Sequence, residues 1–119
     1  MKKLLILSAL AGCATALQAQ SYFFAAPLSG ANENPANASP ATGFATVTLT
    51  LNNPASLTDD TLSYSVSYSG LIGLSTASHI HGPALINANA GVILPLAINA
   101  GFNAGAFSGS SILLNAGQA

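Results

Sequence analysis

The chain has 119 residues, half of them hydrophobic and only 4% charged. A length of this order holds one domain. Both basic residues, Lys2 and Lys3, stand at the extreme start, so from residue 20 onward the only charged side chains are Glu33, Asp59 and Asp60 and the formal charge is −3; nucleic-acid binding and electrostatic docking to anionic lipid, which need Lys or Arg, are excluded.

The first nineteen residues read as a secretory signal peptide. Met1-Lys2-Lys3 is a basic start, Leu4 to Leu17 is apolar with small residues mixed in, and Gln18-Ala19-Gln20 is a small, polar exit. Cleavage is expected after Ala19, with Ala14-Thr15-Ala16 as a second site. The apolar run is shorter than the roughly 20 residues of a transmembrane helix, so no membrane span is expected. A competing reading takes Leu10-Ala11-Gly12-Cys13 as a lipobox, with Cys13 lipidated as the mature N-terminus. Cys13 is the only cysteine, so no internal disulfide forms. The expected plan is a signal peptide over 1–19 and a β domain over 20–119. The product is a bacterial protein, secreted or held at the cell envelope.

Tyr22 to Leu28 is apolar and aromatic, a first strand that Pro27 places at a sheet edge or bulge. A loop rich in Asn, Pro, Ser and Ala runs from Ser29 to Thr42. Gly43 to Leu51 alternates, with Ala45, Val47, Leu49 and Leu51 on one face and Phe44, Thr46, Thr48 and Thr50 on the other. Asn53-Pro54 marks a turn, and Asp59-Asp60 reads as solvated loop. Thr61 to Gly70 has the strictest period of two: Leu62, Tyr64, Val66 and Tyr68 against Ser63, Ser65, Ser67 and Ser69. After a Gly-rich turn come Ala77 to His81, stopped by Gly82-Pro83, then Val92 to Ile98 with Pro95 inside it, then Ala106 to Leu114. Six short strands parted by Gly, Pro and Asn loops predict a β-sandwich or small barrel.

Concentrated chemistry occurs at one place. His79 and His81 are the only histidines, and side chains two apart on a strand share a face. They could offer two imidazoles to Cu or Zn, although such sites normally take three or four protein ligands. The bland alternative is that the imidazoles hydrogen-bond loop backbone and pin the Gly82-Pro83 turn. Glu33, alone in its loop, is expected to accept backbone N–H bonds. No nucleophile elbow or Cys–His arrangement exists after residue 20, so covalent catalysis has no candidate. Asn37-Ala38-Ser39 is a formal glycosylation sequon, incidental behind a bacterial leader. The Ser and Thr faces could be flat contact surfaces for protein or glycan. No Lys guards the edge strands, which leaves self-association open.

Several of these residues resemble the chordin-type (CHRD) domain family. Leu28-Ser29-Gly30-Ala31-Asn32-Glu33-Asn34-Pro35 is similar to its Leu-Ser-Gly-x-x-Glu-x-Pro signature. Gly43-Phe44-Ala45 fits its Gly-x-Ala strand start. Ser69-Gly70-Leu71 followed by Ala77-Ser78-His79-Ile80-His81-Gly82-Pro83 fits its Ser-Gly-Leu turn and His-Ile-His-Gly-Pro strand, and Phe107-Ser108-Gly109 fits a later element. The resemblance runs from Phe24 to about Leu114. The family's further Asn-x-His-Thr-like and Gly-Glu-Ile-Arg-Gly-Gln-like segments have no match after Leu114, so the sequence reads either as a fragment or as a truncated domain; both put sheet closure in question and remove a histidine that could join His79 and His81. The resemblance implies an immunoglobulin-like sandwich of the kind seen in Cu,Zn superoxide dismutases, and an extracellular place.

The resulting expectation is a secreted, non-enzymatic interaction module with no cofactor. Its partner would be an extracellular protein, a glycan or a second copy. The alternatives are a small Cu- or Zn-binding protein using His79 and His81 and, further off, a superoxide dismutase-like enzyme.

Overall fold

The computed structural model describes residues 18–112 apart from 54, 55, 57 and 86. Six strands fill most of that span: β1 (Gln20–Ser29), β2 (Thr42–Leu51), β3 (Thr61–Ser69), β4 (Ser78–His81), β5 (Val92–Leu96) and β6 (Gly105–Ile112). Each falls where alternation and turn residues place it, with ends shifted by a residue or two. Two residues of the last expected strand, Leu113 and Leu114, lie outside the described residues, as do Cys13 and most of the leader.

The strands form two antiparallel sheets, one of four strands in the order β1-β2-β3-β6 and one of two, β4-β5. The chain is therefore an all-β sandwich, as its pattern predicts. Both strands with an interior proline stand at a sheet margin among the described residues, where a residue without an N–H is tolerated: Pro27 lies in β1 at the margin of the large sheet, and Pro95 lies in the two-stranded sheet.

Register decides which side chains meet. Val47 of β2 lies opposite both Phe24 of β1 and Tyr64 of β3, and Tyr64 lies opposite Gly109 of β6. Directly opposed residues share a face. The inner face therefore carries Tyr22, Phe24, Ala26 and Leu28, then Ala45, Val47 and Leu49, then Leu62, Tyr64, Val66 and Tyr68, then Phe107. The small sheet covers only the β3 side of it. Leu62, Tyr64, Val66 and Leu94 are buried together, with Ile80, Leu96 and Phe107 packed against them. On β1, by contrast, Phe24 is 55% exposed on this same inner face, and Tyr22 and Leu28 are exposed beside it.

Two tyrosines fasten the layers. The Tyr64 hydroxyl accepts the N–H of Ala97, just after β5, at 2.9 Å. Its ring lies across Gly109, where an added Cβ would sit 2.7 Å from Cζ. Phe107 meets Tyr64 and Tyr68 edge-on, with ring centres 6.1 and 6.3 Å apart. The Tyr68 hydroxyl donates to Oγ of the buried Ser75 at 3.1 Å. Ser75 also donates its N–H to the Phe102 carbonyl and accepts the Gly101 N–H at its own carbonyl, each at 2.8 Å. One serine thus joins the 70–77 segment to the 99–103 loop.

The acidic turn corrects an expectation. Asp59 is exposed, but Asp60 is 1% exposed and is not a solvated loop residue. Its Oδ1 accepts the N–H of Asn52 at 3.1 Å, while the Asn52 side chain donates to the Asp59 carbonyl at 2.6 Å. A carboxylate oxygen can accept backbone N–H groups that a turn leaves unpaired, which makes its burial tolerable.

Candidate functional site

The histidine pair sits on the solvent side of the small sheet. His79 and His81 are exposed while Ile80 between them points into the core, despite a register irregularity between Ile80 and His81. Their ring centres are 6.1 Å apart at 82°. His81 Nδ1 lies 2.9 Å from the Ala90 carbonyl. A carbonyl only accepts, so Nδ1 carries the hydrogen and, in the neutral ring, Nε2 keeps the free lone pair. Gly82 donates its N–H to the Gly91 carbonyl at 3.1 Å. His81 thus ties the end of β4 to Ala90, two residues before β5 begins.

The signature loop is ordered by asparagines. Gly30 is buried, and its carbonyl accepts the Asn37 N–H at 2.8 Å and the Glu33 N–H at 3.3 Å. A Cβ on Gly30 would collide with Asn37 Oδ1, which itself accepts the Ser39 N–H. Asn34 and Asn89 reach across to the second loop: Asn34 donates to the Asn87 carbonyl at 2.7 Å, and Asn89 to the Asn34 carbonyl at 2.8 Å. Pro35 is exposed beside them. Glu33 does not take the expected part. It is exposed, and among the described residues no hydrogen bond reaches its carboxylate, because asparagine side chains and the Gly30 carbonyl supply the loop's bonds.

Glu33 and His81 line one open recess of about 1030 Å³ between these loops. Glu33 also lines a second recess of about 490 Å³, with Leu28, Tyr68, Leu74 and Phe107 among its walls. Among the described residues no three His, Cys, Asp or Glu side chains gather closely enough to hold a metal ion. The remaining signature residues shape the frame. Leu28 and Ser29 end β1. Gly70 turns the chain after β3 at φ +75°, a conformation that favours glycine. Leu71 donates its N–H to the Asn103 carbonyl, and Gly82-Pro83 follows β4.

A second surface is less visible in the sequence. Tyr22, Phe23 and Phe24 are consecutive, so a strand displays them on both faces, and here all three are exposed, Phe23 by 69%. Among the described residues β1 is also an edge, with β2 on one side only. Three successive aromatics in a ten-residue strand without charge were the available signal.

A two-layer antiparallel sandwich, with a His-x-His strand on the small sheet and a Gly–Glu loop closing the large one, defines a class of small β module. The CHRD domain family model matches residues 24–116, and the chain belongs to that family. No curated protein and no solved structure matches it. No helix among the described residues is long and apolar enough to cross a membrane.

Proposed function

We propose that the protein is a secreted, non-enzymatic interaction module, exported by residues 1–19, that works by contact along the free edge of β1. The observation that carries this reading is the exposure of Tyr22, Phe23 and Phe24 on an uncharged strand that, among the described residues, is paired on one side only. Free strand edges bind extended chains through main-chain hydrogen bonds, and alternate side chains then supply selectivity. The hydroxyl face of the same sheet, with Thr46, Thr48, Thr50, Ser63 and Ser65, extends the contact surface without charge. The test is binding of the purified protein to the outer surface of its host cells, followed by flow cytometry. Phe24→Ser should abolish binding while far-UV circular dichroism stays unchanged. Undiminished binding by Phe24→Ser refutes the use of β1.

The histidine pair supports a second reading, a Cu(II) or Zn(II) site. An ion about 2.1 Å from one nitrogen of each ring sets the ring centres roughly 5.3 Å apart at a tetrahedral angle and roughly 6.5 Å apart with the nitrogens opposed across it; these lie 6.1 Å apart, so a tetrahedral ion requires the rings to close by less than about 1 Å. Calorimetric titration with Cu(II) tests it: stoichiometric submicromolar binding, lost in His81→Ala, carries the reading, and its absence ends it. The metal-loaded protein is expected to show no superoxide turnover.

A further inference from the structure

Pro27 reveals which way the backbone of β1 faces. It lies opposite Phe44 in an unbroken register, yet it has no N–H to give to the ladder. Its carbonyl accepts the Asn32 side chain at 3.0 Å and so points away from β2. In an antiparallel pair, a residue turns its N–H and C=O to the same side, and successive residues alternate. The backbone groups of Tyr22, Phe24 and Ala26 therefore bond to β2, and those of Ser21, Phe23 and Ala25 face outward. The free edge is blocked at Pro27, by the missing N–H and by Asn32, and open over Ser21–Ala25.

We infer that this open segment pairs with its own copy, antiparallel and centred on Phe23, joining two large sheets into one. The inference rests on the reading of β1 as a contact edge and names its partner. That register sets Phe23 against the partner's Phe23, and Ser21 against the partner's Ala25, so each outward N–H meets a carbonyl and Pro27 stays outside the paired run. On the inner face, Tyr22 lies opposite the partner's Phe24 in the closer, non-hydrogen-bonded kind of pair, which suits aromatic contact. A two-fold axis repeats that contact. No residue of β1 is charged, so self-apposition brings no like charges together.

The size of the contact sets its class. From the exposures of Tyr22, Phe23 and Phe24, these rings offer roughly 350 Å² per copy. Two copies together fall below the approximately 1,200 Å² at which stable interfaces begin, so the dimer belongs to the weak, transient class; area does not fix affinity, and the proposal is a dimer with Kd of about 100 μM or tighter.

Charge exchange at the axis tests the register. Sedimentation equilibrium of the secreted protein should show a reversible dimer in that range. Phe23→Lys and Phe23→Glu, each alone, place like charges directly opposite and should weaken the dimer at least about tenfold. An equimolar mixture of the two should recover it, because unlike charges then meet. Phe23 is largely exposed, so both variants are expected to fold. In the full chain with Cys13→Ser, Phe23→Cys should cross-link on oxidation, since facing Cα atoms of such a pair lie about 5.5 Å apart. Ser21→Cys should not, being about 14 Å from its own copy. A monomer at 200 μM (about twice the weakest expected Kd) overturns self-pairing. If such a monomer still bound host cells through Phe24, the contact-edge reading would stand without it. A dimer unaffected by either charge overturns this register.

Discussion

Gly109 and Tyr64 should behave as one unit. The Tyr64 ring is buried and its hydroxyl is held by the Ala97 N–H, so the ring has little freedom to retreat. A Cβ at position 109 would stand 2.5 Å from that hydroxyl oxygen and 2.7 Å from Cζ, against an ordinary carbon contact of about 3.5–4.0 Å. The ring or β6 must therefore yield by roughly 1 Å, and overpacking of this kind costs about 1–3 kcal/mol. Alanine is otherwise the better strand residue by about 0.5–1 kcal/mol, so any net loss in Gly109→Ala comes from the clash. Tyr64→Leu removes the ring's far end and the bond to Ala97, at a cost of about 2–4 kcal/mol. The double variant should lose at least about 1 kcal/mol less than the sum of the two, because nothing remains for the new methyl to strike. Urea unfolding at constant m-value measures all four corners of the cycle. Additivity within about 0.5 kcal/mol would refute the stated contact.

Ser75→Ala should destabilise by about 1–3 kcal/mol, since a buried acceptor and donor disappear together, with faster amide exchange at Phe102, whose N–H reaches Ser75 Oγ at 3.4 Å. Asp60→Ala should cost about 1.5–3 kcal/mol in chemical unfolding, as expected for a buried hydrogen bond to a charged group, and Asp60→Asn should recover part of it by keeping an acceptor for the Asn52 N–H. Gly30→Ala should lower the thermal midpoint more than Gly73→Ala, because a Cβ on Gly73 meets nothing within 4 Å. His81→Ala should speed amide exchange severalfold across residues 88–91, and His79→Ala should leave it unchanged; equal effects would contradict the Nδ1 contact to Ala90.

The strands were legible because burial on one face writes itself as a period of two. Leu62, Tyr64, Val66 and Tyr68 alternate with serines, and the structure places the first group inward. His79 and His81 share a face for the same reason. What the sequence lacked was pairing order: nothing local tells that β6 joins β3, or that β4 and β5 stand apart as a second sheet. Depth was harder to read. Asp60 looked solvated because it is charged, yet a bond to Asn52 makes burial tolerable, and nothing in the apolar run of β1 told that the small sheet leaves Tyr22 and Phe24 exposed. Ser75 carried no signal, since its role depends on Tyr68 and on a loop more than twenty residues away.

Amide hydrogen exchange along β1, read residue by residue by NMR, tests the open edge most directly. At concentrations well below dimerisation, Tyr22, Phe24 and Ala26 should exchange slowly, and Ser21, Phe23 and Ala25 at nearly unprotected rates. Protection of those three should then rise together as the protein is concentrated through the dimer range. Uniform protection from Ser21 to Ala26 at every concentration would contradict a free edge on β1.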